Sequence, residues 1–388
     1  MIDDHVHPFP LSFTPFDPAG ISLRTPASPG YRGAGAVREA GGRLFQELLT
    51  GQLAELLGCR PEELGPTRDA RAAEDWAGYV RLLLDDPGVA AMVMDRAAAP
   101  GADAPPVSAY AGVAGRPVYE MARIEPLLDG LIAGGAGAGE VVEAVEGFMG
   151  QAAQAGAVAF KTVIAYRTGL AVDPGADKAA AERSLRAAPV PSAGPVPPAG
   201  PAPAGPVGPP EAVRRRAKAL RDLVFRTVLG RAADLGLPLQ VHCGFGDADI
   251  RLAESSPLLL EEVLRTPEGS AATVVLIHGA FPYLEEAAFL ATVRPNVLVE
   301  LSLSNLFAPL HTADRLLRLI GLAPREQVLL GSDGHGTPET HWFGCKVLRS
   351  AWPVVARRLR DAGAGAGWAQ ETEELIFDRN ARVVYGIP

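Results

Sequence analysis

Cysteine is scarce in this chain. Its 388 residues hold three, Cys59, Cys243 and Cys345, and no two of them form a C-x-x-C pair. So sparse and odd a set excludes a disulfide framework and fits a reducing compartment. An excess of positive charge is also missing, with 36 Lys and Arg against 45 Asp and Glu, a formal charge of −9. A general nucleic-acid binder needs clustered cations to meet phosphates, so that class is set aside. The densest basic run, Arg214-Arg215-Arg216 with Lys218 and Arg221, has Glu211 and Asp222 close by and reads as a solvated helix face. Long apolar runs are absent as well, because Gly and Pro interrupt every uncharged stretch, and this argues against a membrane span. The start, Met1-Ile2-Asp3-Asp4-His5, lacks both the basic and the apolar region of a signal peptide. The expectation is a cytoplasmic globular protein with a small-molecule substrate and no nucleic-acid or membrane partner. The length allows residues 1–388 to form one large domain with a real core.

What the chain does have is alternation. Short apolar runs at 2–7, 89–94, 118–124, 157–164, 238–243, 273–278, 297–301 and 328–332 predict strands. Between them, apolar residues recur at three and four over 76–84, 140–155, 212–235, 257–265, 284–293 and 313–320, which predicts helices. Eight strands alternating with helices predict an α/β fold, a (β/α)₈ TIM barrel. The runner-up, a doubly wound open sheet, wants a Gly-rich loop after its first strand, where Pro8-Phe9-Pro10-Leu11 stands instead. Two insertions break the pattern. Residues 8–75 form a long excursion after the first strand, helical around 37–57, placed to cap an active site. Residues 187–210 comprise ten Pro, six Ala, four Gly, three Val and one Ser, a composition that predicts an extended, disordered low-complexity loop.

Chemistry gathers where the apolar runs give out. His5 and His7 sit two apart on the first strand, so their imidazoles face the same way and can share a metal. His242, His278 and Asp333 each end or follow a buried strand, at the rim where barrel enzymes place reactive groups. Four His and one Asp converging there offer nitrogen and oxygen ligands for a divalent metal, with Zn²⁺ first and Mn²⁺ or Fe²⁺ behind it. Lys161 ends the fourth strand's apolar run. It is read as a carboxylated bridge between two metals, as an amine on substrate, or as a lysine reaching from the mouth to a carboxylate. Tyr166, Arg167, Arg123, Glu125, Asp247 and Glu339 follow strands three, four, five and eight and are the candidate substrate contacts, Arg167 as a two-pronged carboxylate clamp. Cys243 neighbours an inward His242 and is read as outward packing, not as a nucleophile.

Those motifs carry a family resemblance. Phe160-Lys161-Thr162-Val163-Ile164-Ala165-Tyr166-Arg167-Thr168-Gly169-Leu170, His242-Cys243-Gly244-Phe245-Gly246-Asp247, Leu276-Ile277-His278-Gly279-Ala280-Phe281-Pro282-Tyr283 and Gly331-Ser332-Asp333-Gly334 resemble the amidohydrolase superfamily. Within it, the chain is similar to the amidohydrolase-related branch. That branch includes the barrel half of fungal FluG-like and plant nodulin-like proteins, where the barrel is fused to a glutamine-synthetase-like domain. Asp378-Arg379-Asn380-Ala381 also looks like the family's closing helix, although these 388 residues include no synthetase-like segment. The resemblance implies that His5, His7 and His242 bind metal together with Asp333, which doubles as the base. It implies that His278 either ligates a second metal or polarises the substrate. One or two metals per chain, zinc by preference, and a homodimer follow as expectations. So does a metal-dependent hydrolase acting on a C–N bond of a small carboxylated substrate. The rivals are a non-oxidative decarboxylase of the same branch and a non-catalytic barrel that has kept its metal.

Overall fold

A computed structural model of the protein describes residues 1–23, 43–97, 104–186 and 211–388, with side chains from 217 onward in the last stretch. The apolar runs form eight parallel strands. They are β1 (Ile2–Val6), β2 (Ala91–Asp95), β3 (Val118–Arg123), β4 (Ala159–Thr162), β5 (Leu239–His242), β6 (Val274–Ile277), β7 (Val297–Leu301) and β8 (Val328–Leu330). Their order in the sheet is their order in the chain. Closure comes between β1 and β8, through a bridge from Val6 to Gly334. Asp333 N donates to His5 O at 2.9 Å, and His7 N donates to Gly334 O at 2.8 Å. The fold is the (β/α)₈ barrel, and this seam excludes the open sheet.

Helices cover the outside of the sheet and side chains fill its inside, so both faces of each strand are withdrawn from water. Ile2, Val93, Met121, Val275, Ile277 and Leu329 pack within the barrel, with Ala381, Tyr385 and Ile387 of the C-terminal segment beneath them. Strict alternation from Ile2 would send Val6 inward and His5 outward. A register shift between Asp3 and Val6 against β2 reverses this. Val6 therefore joins the cluster between sheet and helices, and His5 and His7 turn to the interior. A one-residue slip flips every later side chain, and here it aims the histidines.

The predicted helices at 76–84, 140–155, 212–235, 284–293 and 313–320 are found as Trp76–Asp85, Ala138–Gln154, Glu211–Leu235, Leu284–Val293 and Thr312–Leu322. The expected helix at 257–265 is not. Two short 3-10 turns, Pro257–Leu260 and Val263–Arg265, stand there, the second ending at Thr266, which Pro267 holds extended at ψ 159°. The helical stretch expected from 37 is described only from Leu44 to Leu57. Residues 37–42 and the Pro-rich 187–210 lie outside the described residues.

A buried cation fastens the long excursion after β1 to the barrel. Arg68 Nε donates to Glu339 Oε1 at 2.7 Å, and Tyr79 Oη donates to the same oxygen at 2.7 Å. Arg68 and Glu339 are both 0% exposed. The rings of Phe16, Trp76 and Tyr79 lie 5.6, 5.3 and 5.0 Å from the guanidinium carbon, a cation–π cage in a water-free setting.

Candidate metal centre

A cavity of about 330 Å³ opens at the C-terminal mouth of the barrel. It is lined by His5, His7, Arg123, Lys161, Tyr166, His242, Asp247, His278 and Asp333, which the sequence singled out. Gly20, Ser22 and Leu23 of the excursion after β1 also reach it, as does His335. The chain leaves several strands here under strain. Ala97, His278, Leu303 and Asp333 have φ of 51°, 65°, 43° and 53°, a region that side-chain-bearing residues rarely occupy. For His278 this turn matters, since Ile277 already faces inward and regular alternation would have sent its neighbour out.

Three of the four imidazoles are oriented by a partner behind them, whereas His5 Nδ1 is buried without a hydrogen bond among the described residues. His7 Nδ1 donates to Asp95 O at 3.0 Å, and His242 Nε2 donates to Phe245 O at 3.1 Å. Ser302 Oγ donates to Glu300 Oε2 at 2.8 Å and so accepts from His278 Nδ1, also at 2.8 Å. The protons are thus committed outward and the opposite nitrogens present lone pairs to the cavity. His278 Nε2 and His242 Nδ1 consequently face each other at 3.0 Å with no proton between them. Two lone pairs so close repel unless a cation answers both. Burial, reinforced by Lys161, lowers His5 to about 4 and His242 well below the usual imidazole range. Burial also lowers His278 far below that range, with His242 adding to the effect.

Asp333 completes the set. Its Oδ1 lies 3.3 Å from His5 Nε2 and 3.3 Å from His7 Nε2, buried and with no hydrogen bond. Donor atoms of His5, His278 and Asp333 lie within 4.8 Å of one another. Lys161 Nζ stands 3.3 Å from His5 Nε2, and burial lowers its amine to about 8. The donor set is three outward-anchored imidazoles, a further buried His5 and a carboxylate, which fits a divalent cation.

Three expected substrate contacts are corrected. Arg167 donates from Nε to Asp129 Oδ2 at 3.1 Å, and Arg221 holds the other oxygen, so the guanidinium is committed beside Arg221 and does not line the cavity. Glu125 is buried with Oε1 accepting from Thr162 Oγ1 at 2.6 Å and Val163 N at 2.8 Å, which makes it a support for the end of β4. Glu339 belongs to the Arg68 anchor. Arg123 stays in the cavity. Its Nε and Nη2 bond Asp95 Oδ2 at 2.7 and 2.6 Å, leaving the Nη1 side of the fork without a hydrogen bond among the described residues.

Sequence reasoning passed over the supports. Asp95 ends β2 as Asp333 follows β8, and the same rule would have found it. Glu300 is the lone acid within Val297–Leu301, a signal as plain as a strand-end histidine. Asp3, which accepts from Ser332 N and Oγ at 2.7 Å each and so steadies the residue before Asp333, had no local signal. Cys243 is fully buried among residues between sheet and helices, and burial pushes its thiol far up; Cys345 is buried likewise. Under native conditions only half-buried Cys59 is therefore expected to react with a thiol-exchange reagent, all three reacting once the chain is unfolded. Rapid native labelling of Cys243 would contradict its reading as packing.

The amidohydrolase family's sequence profile matches residues 2–387. The chain belongs to the amidohydrolase family. A curated relative, protein fluG of Emericella nidulans, is 34% identical over 205 residues, which make up 51% of this chain and 22% of that protein. Among solved structures, a Lactobacillus casei protein described as a metal-dependent hydrolase superposes with a TM-score of 0.79 at 20% identity, over 99% of this chain and 94% of that one. Uronate isomerase of Thermotoga maritima gives 0.61 at 13% identity, over 88% and 78%. At these identities the amidohydrolase and its structural neighbours share a fold, and a fold alone does not select a reaction. No helix among the described residues is long and apolar enough to cross a membrane.

Proposed function

We propose that this amidohydrolase is a metal-dependent hydrolase that activates water to cleave an amide-type C–N bond in a small carboxylated substrate. The observation that carries this reading is the set of anchored imidazoles whose lone pairs converge beside the unbonded Asp333 Oδ1. His5, His7, His242, His278 and Asp333 would hold the cation, with zinc the best match to nitrogen-rich ligation. Bound there, a divalent cation lowers the pKa of water toward neutrality and polarises a carbonyl oxygen. The Asp333 carboxylate, through a lone pair not engaged with the cation, would take the proton of the attacking water and return it to the leaving amine. Arg123, through its Nη1 side, replaces Arg167 as the carboxylate contact, with the Lys161 amine nearby on the adjacent strand.

Protein prepared without chelator, loaded with Zn²⁺ or Mn²⁺ and then desalted, is expected to retain one or two equivalents by elemental analysis. Two would make Lys161 a bridge; one would leave it an amine. Free metal at a hundredfold its Kd should add about 2.7 kcal/mol of stability, read as a rise in melting temperature. The loaded protein should then release amine from members of a panel of small carboxylated amides, and chelator should stop it. No retained metal under any condition would defeat the hydrolase reading.

A further inference from the structure

We propose that Asp247 is the subsite for a protonated amino group, so that the substrate is a small amide carrying a free amine as well as a carboxylate, of the amino-acid-amide class. This rests on the hydrolase reading above and deepens it. Among the other charges of the cavity, Arg123 is paired with Asp95, Asp333 lies among the imidazoles that would hold the cation with it, and Lys161 stands beside His5. Asp247 lines the same cavity, yet its carboxylate accepts no hydrogen bond from any described residue and forms no ion pair with one.

The carboxylate is nevertheless held in place by its backbone. Asp247 N donates to Tyr166 Oη at 3.0 Å, and Ile250 N donates to Asp247 O at 3.0 Å. The preceding Gly246 is pressed so tightly on the site that a Cβ there would overlap Tyr166 Oη and stand 2.9 Å from His242 Nε2. Only glycine permits that approach, and it delivers Asp247 beside the histidines. A carboxylate partly withdrawn from water is costly without a donor, and a cation bearing N–H groups answers both its charge and its lone pairs. In the sheet, β4 with Lys161 lies between β3 with Arg123 and β5, after which Asp247 follows. A zwitterion's carboxylate and ammonium match this pair of opposite charges, and about 330 Å³ suits a ligand of that size.

The test is calorimetric binding of metal-chelating ligands to the zinc-loaded protein. L-aspartic acid β-hydroxamate is compared with succinic monohydroxamate, and L-glutamic acid γ-hydroxamate with glutaric monohydroxamate; each pair differs only in the amine. N-acetylated forms of the two amino acids and plain acetohydroxamate complete the set. At least one amine-bearing ligand should bind about tenfold tighter than its amine-free partner, as a charge-assisted hydrogen bond provides, and acetylation should remove the advantage. In Asp247→Asn the same comparison should shrink to within about twofold. Equal affinity within both pairs in the wild-type protein, or an amine preference that survives in Asp247→Asn, would overturn the proposal. Acetohydroxamate separates the two readings. If it binds while the amine confers nothing, only the amine subsite falls; if no hydroxamate binds at all, the bound zinc has no open position and the hydrolase reading falls with it.

Discussion

Asp333→Asn is expected to lower turnover of any amide the wild-type protein cleaves by about a thousandfold or more, with the fold and the metal retained. The substitution is isosteric, and asparagine accepts the left-handed backbone, here φ 53°, as readily as aspartate does. The seam bond from residue 333 N to His5 O belongs to the backbone and survives. Asp333 Oδ1 accepts no hydrogen bond, so no structural bond is lost when its charge goes. What disappears is a basic lone pair 3.3 Å from His5 and His7. Metal content, circular dichroism and turnover should be measured on the same preparation. Activity within tenfold of wild type in a metal-loaded variant would remove Asp333 as the base.

The largest effect on stability is expected at Arg68. Arg68→Met keeps much of the side chain's volume but leaves Glu339 ionisable, 0% exposed and without its cation. Removing one partner of a buried pair costs about 3–5 kcal/mol, chiefly through the charge left behind. Tyr79 and Thr337 still donate to Glu339 and soften the loss. The double variant Arg68→Met, Glu339→Gln removes the stranded charge and should recover a large part of it. Denaturant titration of the wild type, both single variants and the double variant supplies the cycle. Losses that simply add, with the double variant no more stable than Arg68→Met alone, would show that the anchor works through packing of the Phe16, Trp76 and Tyr79 cage, not through charge.

The barrel and the candidate site at its rim were legible in the linear chain because both depend on short-range pattern. An apolar run that ends in His or Asp marks a strand and its mouth together, and His5, His7, His242, His278 and Asp333 all meet in one cavity on that rule. The composition of the chain also settled the scarcity of bridging thiols and the acidic balance. What the tertiary structure alone decided was which charged side chains are already taken. Arg167 is claimed by Asp129, 38 residues away, and Glu339 by Arg68, 271 residues away; local pattern holds no trace of either pairing. The register shift in β1 and the positive φ of His278 likewise arise from fitting neighbouring strands together, and they turn two strand ends inward against simple alternation. Residue type and spacing therefore determined where the candidate site lies, and three-dimensional packing determined which of its charged residues are already paired within the protein, because a charge withdrawn from water must find its partner wherever the fold has placed one.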